Sequence, residues 1–132
     1  MDSSSIQLPD TEISAVDYQS GCLRIHFSRA IIIKTMTGSA EKTLWWQAGD
    51  LLLDDAQVEG ELPVGDAVCA GGDIDDNVYT YRDMIPLPLD SRGAIRLELK
   101  MRGDAPPLIA SGSAIRLEMQ GTPRYERHLR DA

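Results

Sequence analysis

The strongest pattern in this sequence is a strict alternation of apolar and polar residues in its C-terminal third. Residues 94–101 read AIRLELKM, and residues 114–120 repeat the first five letters in AIRLEMQ. Successive side chains of a β-strand point to opposite faces, so each segment would carry its apolar residues on one face and its charged residues on the other. The pattern predicts two β-strands that each cover a hydrophobic core with one face only.

Other segments show the same alternation or are rich in β-branched residues, which favour strands. They are residues 12–18, 22–29 and 77–84, and the run AIIIKTMT at 30–37. Turn-forming residues separate them, and no segment has the periodicity of a long helix. We therefore predict an all-β protein: an antiparallel β-sandwich or flattened barrel of about eight to ten short strands, with a jelly roll as one form.

Two segments are harder to interpret. Residues 39–48 fit a strand over 42–47, which we prefer, or a short helix capped by Ser39. Residues 63–76 hold several glycines and aspartates, which predicts the longest irregular connection of the fold.

The last half of the chain suggests its own topology. Pro86 and Pro88 cannot donate backbone hydrogen bonds, so their segment is expected at a sheet edge or in an extended crossing segment. The two AIRLE segments flank PPLIA, with a turn expected at Ser111-Gly112, and together they predict a three-stranded meander. The tail after Gly121 fits a last strand or a single helical turn.

Length and composition indicate one domain. The chain has 132 residues, of which 42% are hydrophobic and 26% charged, as in ordinary globular proteins. Residues 1–10 are polar and predict a flexible N-terminus, which leaves 11–132 as the single domain. No apolar run is long enough to span a membrane as a helix, and the N-terminus does not resemble a secretion signal. We therefore expect a cytoplasmic protein that does not bind membranes.

The cysteines and histidines do not suggest a disulfide or a cofactor. Cys22 and Cys69 are too few for a disulfide framework, and with His26 and His128 they lack any zinc-binding spacing. We expect reduced thiols, surface histidines, no cofactor and no catalytic residue, since no nucleophile motif is present.

Asp73, Asp75 and Asn77 are spaced like the start of a calcium loop. The match then fails, because Val78 stands where that loop needs glycine and Met84 where it needs a bidentate glutamate. A solvated turn is the better interpretation, with a weak surface cation site as the alternative.

Charge is unevenly distributed along the chain, whose formal net charge is -8. Residues 41–90 carry 12 acidic and 2 basic side chains, whereas residues 91–132 carry 5 acidic and 8 basic ones. Phosphate binding needs a positive footprint, so this distribution argues against a nucleic-acid partner.

Two groups of residues are candidates for binding a protein partner. Trp45 and Trp46 are adjacent, so on a strand only one of them can enter the core, and an exposed tryptophan is a typical binding anchor. Arg124, Arg127 and Arg130 recur at intervals of three, and we expect some of them to pair with the acids between Asp50 and Asp76. Pairing between subunits would produce a homodimer.

The C-terminal segment AIRLEMQG followed by PRYERHL resembles the ending of small uncharacterised bacterial all-β proteins. In those proteins a strand of the form V-x-L-x-L-x-G precedes a tail with Tyr-x-Glu. The likeness covers about the last third of the chain and consists mostly of β-sheet patterning. It implies an all-β fold and carries no activity.

The sequence leaves two classes of function. The first is a non-enzymatic protein-binding or interaction module, such as a small acidic adaptor or immunity-type protein. The second is a small-molecule-binding β-barrel or cupin-like pocket protein, with or without enzymatic activity. We favour the first, because the clean strands show no polar residues pointing inward.

Overall fold

The computed structural model describes residues 3–35 and 41–129, and every regular element in these ranges is an antiparallel β-strand. The strands are β1 (Ser3–Gln19), β2 (Cys22–Thr35), β3 (Lys42–Asp54), β4 (Gln57–Glu59), β5 (Ala67–Asp76), β6 (Tyr79–Arg82), β7 (Met84–Leu87), β8 (Asp90–Met101) and β9 (Leu108–Leu129). The predicted all-β antiparallel fold is confirmed. Across these ranges there is no helix of the length and apolarity needed to cross a membrane.

Six strands form a curled sheet that closes on itself, and we call this part the ring. Its order is β5-β8-β9-β3-β2-β1, and β1 returns to β5 where Glu12 and Ile13 pair with Val68 and Ala67. The right-handed twist of β-strands is what allows such a sheet to curl. Closure pairs two residues of each outer strand at an edge that would otherwise be open there.

Beyond the ring, β7 and the ends of four long strands continue as an open sheet, which we call the wing. Its order is β7-β1-β2-β3-β9. The Leu8 N–H donates to the Asp83 carbonyl at 2.9 Å, and the Asp83 N–H donates to the Gly72 carbonyl at 2.6 Å. These bonds tie the wing to β5, so the inner face of the wing continues the interior of the ring.

Apolar side chains fill the interior of the ring. The predicted alternation in β8 is confirmed, since Ile95, Leu97, Leu99 and Met101 are all buried. The same buried cluster extends onto the inner face of the wing and includes Ile6, Leu8, Leu23, Ile25, Phe27, Ile32, Leu51, Leu53, Ile74 and Ile85.

The three-stranded meander predicted for the C-terminal third is wrong, because residues 108–129 form one strand. The AIRLE segment of β8 pairs with residues 109–112 of β9, and the second AIRLE segment lies further along that same strand. Gly112 continues the strand instead of turning it. A Cβ at Gly112 would lie 2.4 Å from the Asp54 carbonyl oxygen, so glycine here permits a close approach of two backbones.

The irregular connection predicted over residues 63–76 is wrong for most of its length, since β5 begins at Ala67. Gly71 and Gly72 have φ angles of +149° and +155°, which side chains rarely adopt. A Cβ at Gly72 would lie 2.2 Å from the Glu98 carbonyl oxygen. Gly72 therefore serves the close packing of β5 on β8, while a Cβ at Gly71 would lie 2.6 Å from Asp83 Oδ1. A register shift lies beside them, and both glycines belong to a strand instead of a loop.

The other local expectations have mixed outcomes. The strand preferred over residues 42–47 is confirmed as part of β3 and the helix alternative is wrong, while Ser39 lies outside the described residues. The edge position expected for Pro86 is confirmed, because among the strands of residues 3–35 and 41–129 β7 pairs only with β1. The tail is a strand as far as Leu129.

Several strands are longer than the sequence suggests. The residues 3–10 predicted as flexible lie in β1, where Ile6 and Leu8 are fully buried. Residues 3–7 pair with β2, and residues 4–7 also pair with β7. The segments CLRIHFSR and AIIIKT merge into β2 through a register shift between Phe27 and Ala30. Such irregularities let one strand bend from the ring into the wing.

Candidate functional site

Trp45 and Trp46 lie on opposite faces of β3, as neighbours in a strand must. Trp45 is on the inner face of the wing, opposite Ile32 of β2 and Tyr125 of β9, and packs against the core. Trp46 is on the outer face. Both indole rings are only half-buried, so each keeps a surface that a partner could contact.

Around Trp45 the structure forms an aromatic cluster that consists of Trp45, Tyr125 and His128. The Trp45 and Tyr125 ring centroids are 5.3 Å apart with an interplanar angle of 72°, and those of Tyr125 and His128 are 5.5 Å apart at 73°. Edge-to-face geometry of this kind is favourable for aromatic pairs. Lys34 Nζ lies 4.2 Å from the Trp45 centroid, a cation–π contact. Tyr125 remains 48% exposed.

Next to the aromatic cluster, the inner face of the wing contains an open groove of about 350 Å³. This volume lies within the usual range for ligand sites, about 300–1,000 Å³. The groove is at the end of the core, where the filled interior of the ring gives way to solvent. Polar lining comes from Ser4, Lys34 and Gln47, and apolar lining comes from Ile32, Leu87, Pro88, Leu117, Met119 and Pro123.

One wall of the groove comes from a bulge in β9. Gln47 is 9% exposed, and its Nε2 donates to the carbonyl oxygens of Gln120 at 3.3 Å and Gly121 at 3.0 Å. Gly121 has φ +71°, the left-handed region that glycine tolerates. The bulge interrupts the β3–β9 pairing and brings Pro123 to the groove. Leu117 and Met119, on the second AIRLE strand, supply more of the same wall and stay half-buried for that reason.

Within a single chain, Arg124 and Arg127, the two tail arginines among the described residues, do not pair with the acids between Asp50 and Asp76. Arg124 and Arg127 lie opposite Trp46 and Leu44, whereas Asp50 lies opposite Glu118, further down β9 in the ring. Arg124 instead places its guanidinium carbon 5.3 Å from the Trp46 ring centroid. Arg130 lies outside the described residues. The antiparallel register separates the tail from those acids, and a sequence alone does not show that register.

A buried carboxylate on the outer face of the ring was not anticipated. Asp50 is 3% exposed and accepts hydrogen bonds from Arg24 Nε at 3.0 Å, His26 Nδ1 at 2.6 Å and Gln120 Nε2 at 3.0 Å. Burial alone would raise the pKa of Asp50, but the hydrogen bonds from His26 and Arg24 and the charge on Arg24 hold this pKa below its usual value. The three partners come from β2 and β9, which flank β3.

We expect Asp50→Asn to lower the free energy of unfolding by about 1–2 kcal/mol at pH 6, since the charged hydrogen bonds are lost while Arg24 stays half-exposed. Because the folded pKa of Asp50 is lowered, its contribution is present above the ordinary carboxyl pKa and is lost as pH falls through the folded value. Urea unfolding of the wild type and Asp50→Asn from pH 6 downward should show that the difference in their free energies of unfolding, the stability gap, closes only below pH 3.8.

Asp73→Asn, which breaks an exposed pair with Arg82, is the control and should lower the free energy of unfolding by less than about 0.5 kcal/mol. A gap that is already closed at pH 5 would contradict this explanation.

The acidic residues that resemble a calcium loop are engaged within the sheet. Asp75 accepts from Thr80 at 2.8 Å, and Asp76 accepts from Asn77 at 2.9 Å and from Ser91 at 2.6 Å. They lie on β5 and its tight turn into β6, and Asp75 and Asn77 line an open depression of about 460 Å³. Within the described ranges, no group of three or more histidine, cysteine, aspartate or glutamate residues is arranged to hold a metal ion.

Both cysteines are free thiols. Burial raises the pKa of the Cys69 thiol, and burial together with nearby Asp54 raises that of Cys22. A raised pKa disfavours the thiolate, which is the reactive form of cysteine. These thiols therefore pack as small side chains and are not reactive groups.

The sequence had identified Trp45 as a candidate anchor but not Lys34, Leu87 or Met119. Leu87 and Met119 reach the groove through pairings of β7 with β1 and of β9 with β3, which are far apart in the chain, and no local pattern marks them. For Lys34 the sequence held one signal, a single lysine at the end of the apolar run 30–33. Comparison with protein-family models, curated proteins and solved structures finds no match to this chain.

Proposed function

We propose that this protein is a non-enzymatic interaction module that binds a partner polypeptide at the groove. The observation that carries the proposal is the apolar groove beside the half-exposed aromatic cluster, on a fold whose interior is otherwise filled by side chains. An apolar pocket flanked by tryptophan and tyrosine is the usual setting of a binding hot spot. We also place the protein in the cytoplasm, which its two free thiols support.

The polar groups of the described residues support binding rather than catalysis. His26, a potential general base, is bonded to Asp50 on the outer face of the ring, away from the groove. Among the described residues that line the groove, Lys34 is the one titratable group, and a single amine does not provide an acid–base pair. His128 of the neighbouring aromatic cluster is paired with Glu41, but neither residue lines the groove. The groove can therefore hold a side chain, whereas no acid–base pair of the described residues lines it.

The proposal predicts that peptides selected from a random display library will depend on the inner face of β7. Leu87→Glu places a charge in the groove and should weaken the selected peptides at least about tenfold, since an apolar anchor would meet a carboxylate. Fluorescence polarisation with labelled peptides measures this loss. Met84→Glu is the matched control, because Met84 is a half-buried residue of the same edge strand that lies opposite Gln7, on the outer face.

Binding that is equally lost in both variants, or in neither, would contradict the proposal, as would a library that yields no binder. Thermal unfolding of each variant separates loss of binding from loss of fold.

A second candidate function, a carrier of a small amphiphilic molecule, is favoured by the volume of the groove. Octanoate binding that Leu87→Glu abolishes, in the absence of any selected peptide, would decide for that alternative.

A second copy of this chain is one partner that the proposal includes. The apolar run IIIKTM would favour a homodimer if it were uncovered, yet its Ile31 and Ile32 are already buried within a single chain. The remaining support is the half-buried Trp46 with Arg124 stacked on it, while other regions of the surface are acidic. Light scattering at low micromolar concentration should report twice 14.5 kDa if the partner is a second copy.

A further inference from the structure

The groove has one positive charge at its edge. Lys34 is half-buried, and in the described ranges no ion pair joins its ammonium group to a carboxylate; its nearest aromatic partner is Trp45. An ammonium group held over an indole still has donors that face solvent. A bound carboxylate would satisfy these donors where a neutral group would satisfy them less well.

The spacing between this charge and the apolar lining is set by β2. Ile32 and Lys34 both line the groove, two residues apart on the same face of the strand. Strands rise about 3.3–3.4 Å per residue, so their Cα atoms are separated by about 7 Å. An extended peptide places its own residues i and i+2 on one face at the same spacing.

Among the described residues that line the groove, Lys34 is the one charged side chain. Lys42, Arg124 and Arg127 lie on the outer face of the wing and do not reach the groove, while Glu126 is paired with Arg29 and Glu41 with His128. The net charge of -8 opposes an acidic ligand at long range. However, charges are largely screened beyond about 8 Å at physiological salt, so the local surface decides recognition.

Resting on the proposed function, we infer that the partner segment is extended and carries an apolar residue and an acidic residue two positions apart. The apolar side chain enters the groove between Leu87 and Met119, and the carboxylate binds the Lys34 ammonium group. The two side chains leave the same face of the bound segment.

The test uses peptides from the library selection that contain leucine or phenylalanine. Each is synthesised with glutamate two positions from the apolar residue and, separately, directly next to it, where the carboxylate would point to the opposite face. Fluorescence polarisation should show the first peptide binding about tenfold more tightly, equivalent to about 1.4 kcal/mol, and the difference should shrink at high salt.

Lys34→Glu should weaken the first peptide about tenfold, and a peptide with lysine in place of its glutamate should bind this variant better than it binds the wild type. Lys42→Glu makes the same change in net charge on the outer face, at an exposed position, and should have little effect. If Lys34→Glu does not fold, Lys34→Met serves instead and should remove the salt dependence.

The inference is overturned if both peptides bind equally, or if Lys34→Glu leaves binding unchanged while Leu87→Glu still abolishes it. The latter result would retain the proposed function and remove only the acidic residue from the ligand. Peptides whose affinity does not change in Leu87→Glu would contradict both the proposed function and this inference.

Discussion

Leu97→Asp is expected to unfold the protein or lower its free energy of unfolding by about 5 kcal/mol, within the range of total stability of a typical domain. Leu97 is 0% exposed on β8, between Ile74 of β5 and Ala110 of β9. A carboxyl group in this position has no hydrogen-bond partner and cannot reach water. Chemical denaturation measures the change, with circular dichroism as a check on folding.

Glu98→Lys is the matched control on the adjacent residue. Glu98 points to the outer face and makes only a weak pair with Arg96 at 4.0 Å, so its replacement should change stability by about 0.5 kcal/mol or less. Equal changes in the free energy of unfolding for Leu97→Asp and Glu98→Lys would contradict the assignment of these residues to the inner and outer faces of β8. Leu117→Asp, at the equivalent position of the second AIRLE segment, should cost less than Leu97→Asp because Leu117 is half-buried in the groove wall.

Gly72→Ala is expected to lower the free energy of unfolding by about 3 kcal/mol, which combines an unfavourable φ with a backbone clash. The added Cβ would lie 2.2 Å from the Glu98 carbonyl oxygen and 3.1 Å from Leu99 Cα, and neither can move without separating β5 from β8. Thermal and urea unfolding measure the loss.

Gly60→Ala isolates the contribution of φ in this comparison. Gly60 has φ +78° and nothing within 4 Å of an added Cβ, so its replacement should cost only about 1–2 kcal/mol. If Gly60→Ala proved as costly as Gly72→Ala, the close approach of β5 and β8 would not be the cause.

Local patterns were sufficient for the fold class. The alternation in AIRLELKM depends only on whether each side chain is apolar, and burial of Leu97 and Leu99 follows directly from it. The edge position of Pro86 likewise follows from the missing N–H of proline. Both features are properties of a single segment.

Glycine was the main source of error, because one residue type has two uses. Gly71 and Gly72 were predicted in an irregular connection and Gly112 in a turn, but all three lie within strands. At Gly72 and Gly112 another backbone approaches too closely for a side chain, and at Gly71 the Asp83 carboxylate does. The neighbours that make glycine necessary, such as Asp54 and Glu98, are distant in sequence. The groove was missed for the same reason, since its lining comes from β1, β2, β3, β7 and β9 together with Pro88.

Closure of the ring also affects how the chain reaches this structure. The pairing of Glu12 and Ile13 with Val68 and Ala67 joins segments that are widely separated in sequence, and β9 must likewise return to β3. Forming such contacts requires closing long loops before favourable burial compensates for the lost chain entropy. Folds dominated by non-local strand pairs typically fold in milliseconds to seconds, far more slowly than helical bundles. During synthesis, β1 therefore waits for β5 and β7 before its edge is covered, and over that interval the nascent chain exposes a strand edge on which aggregation could begin.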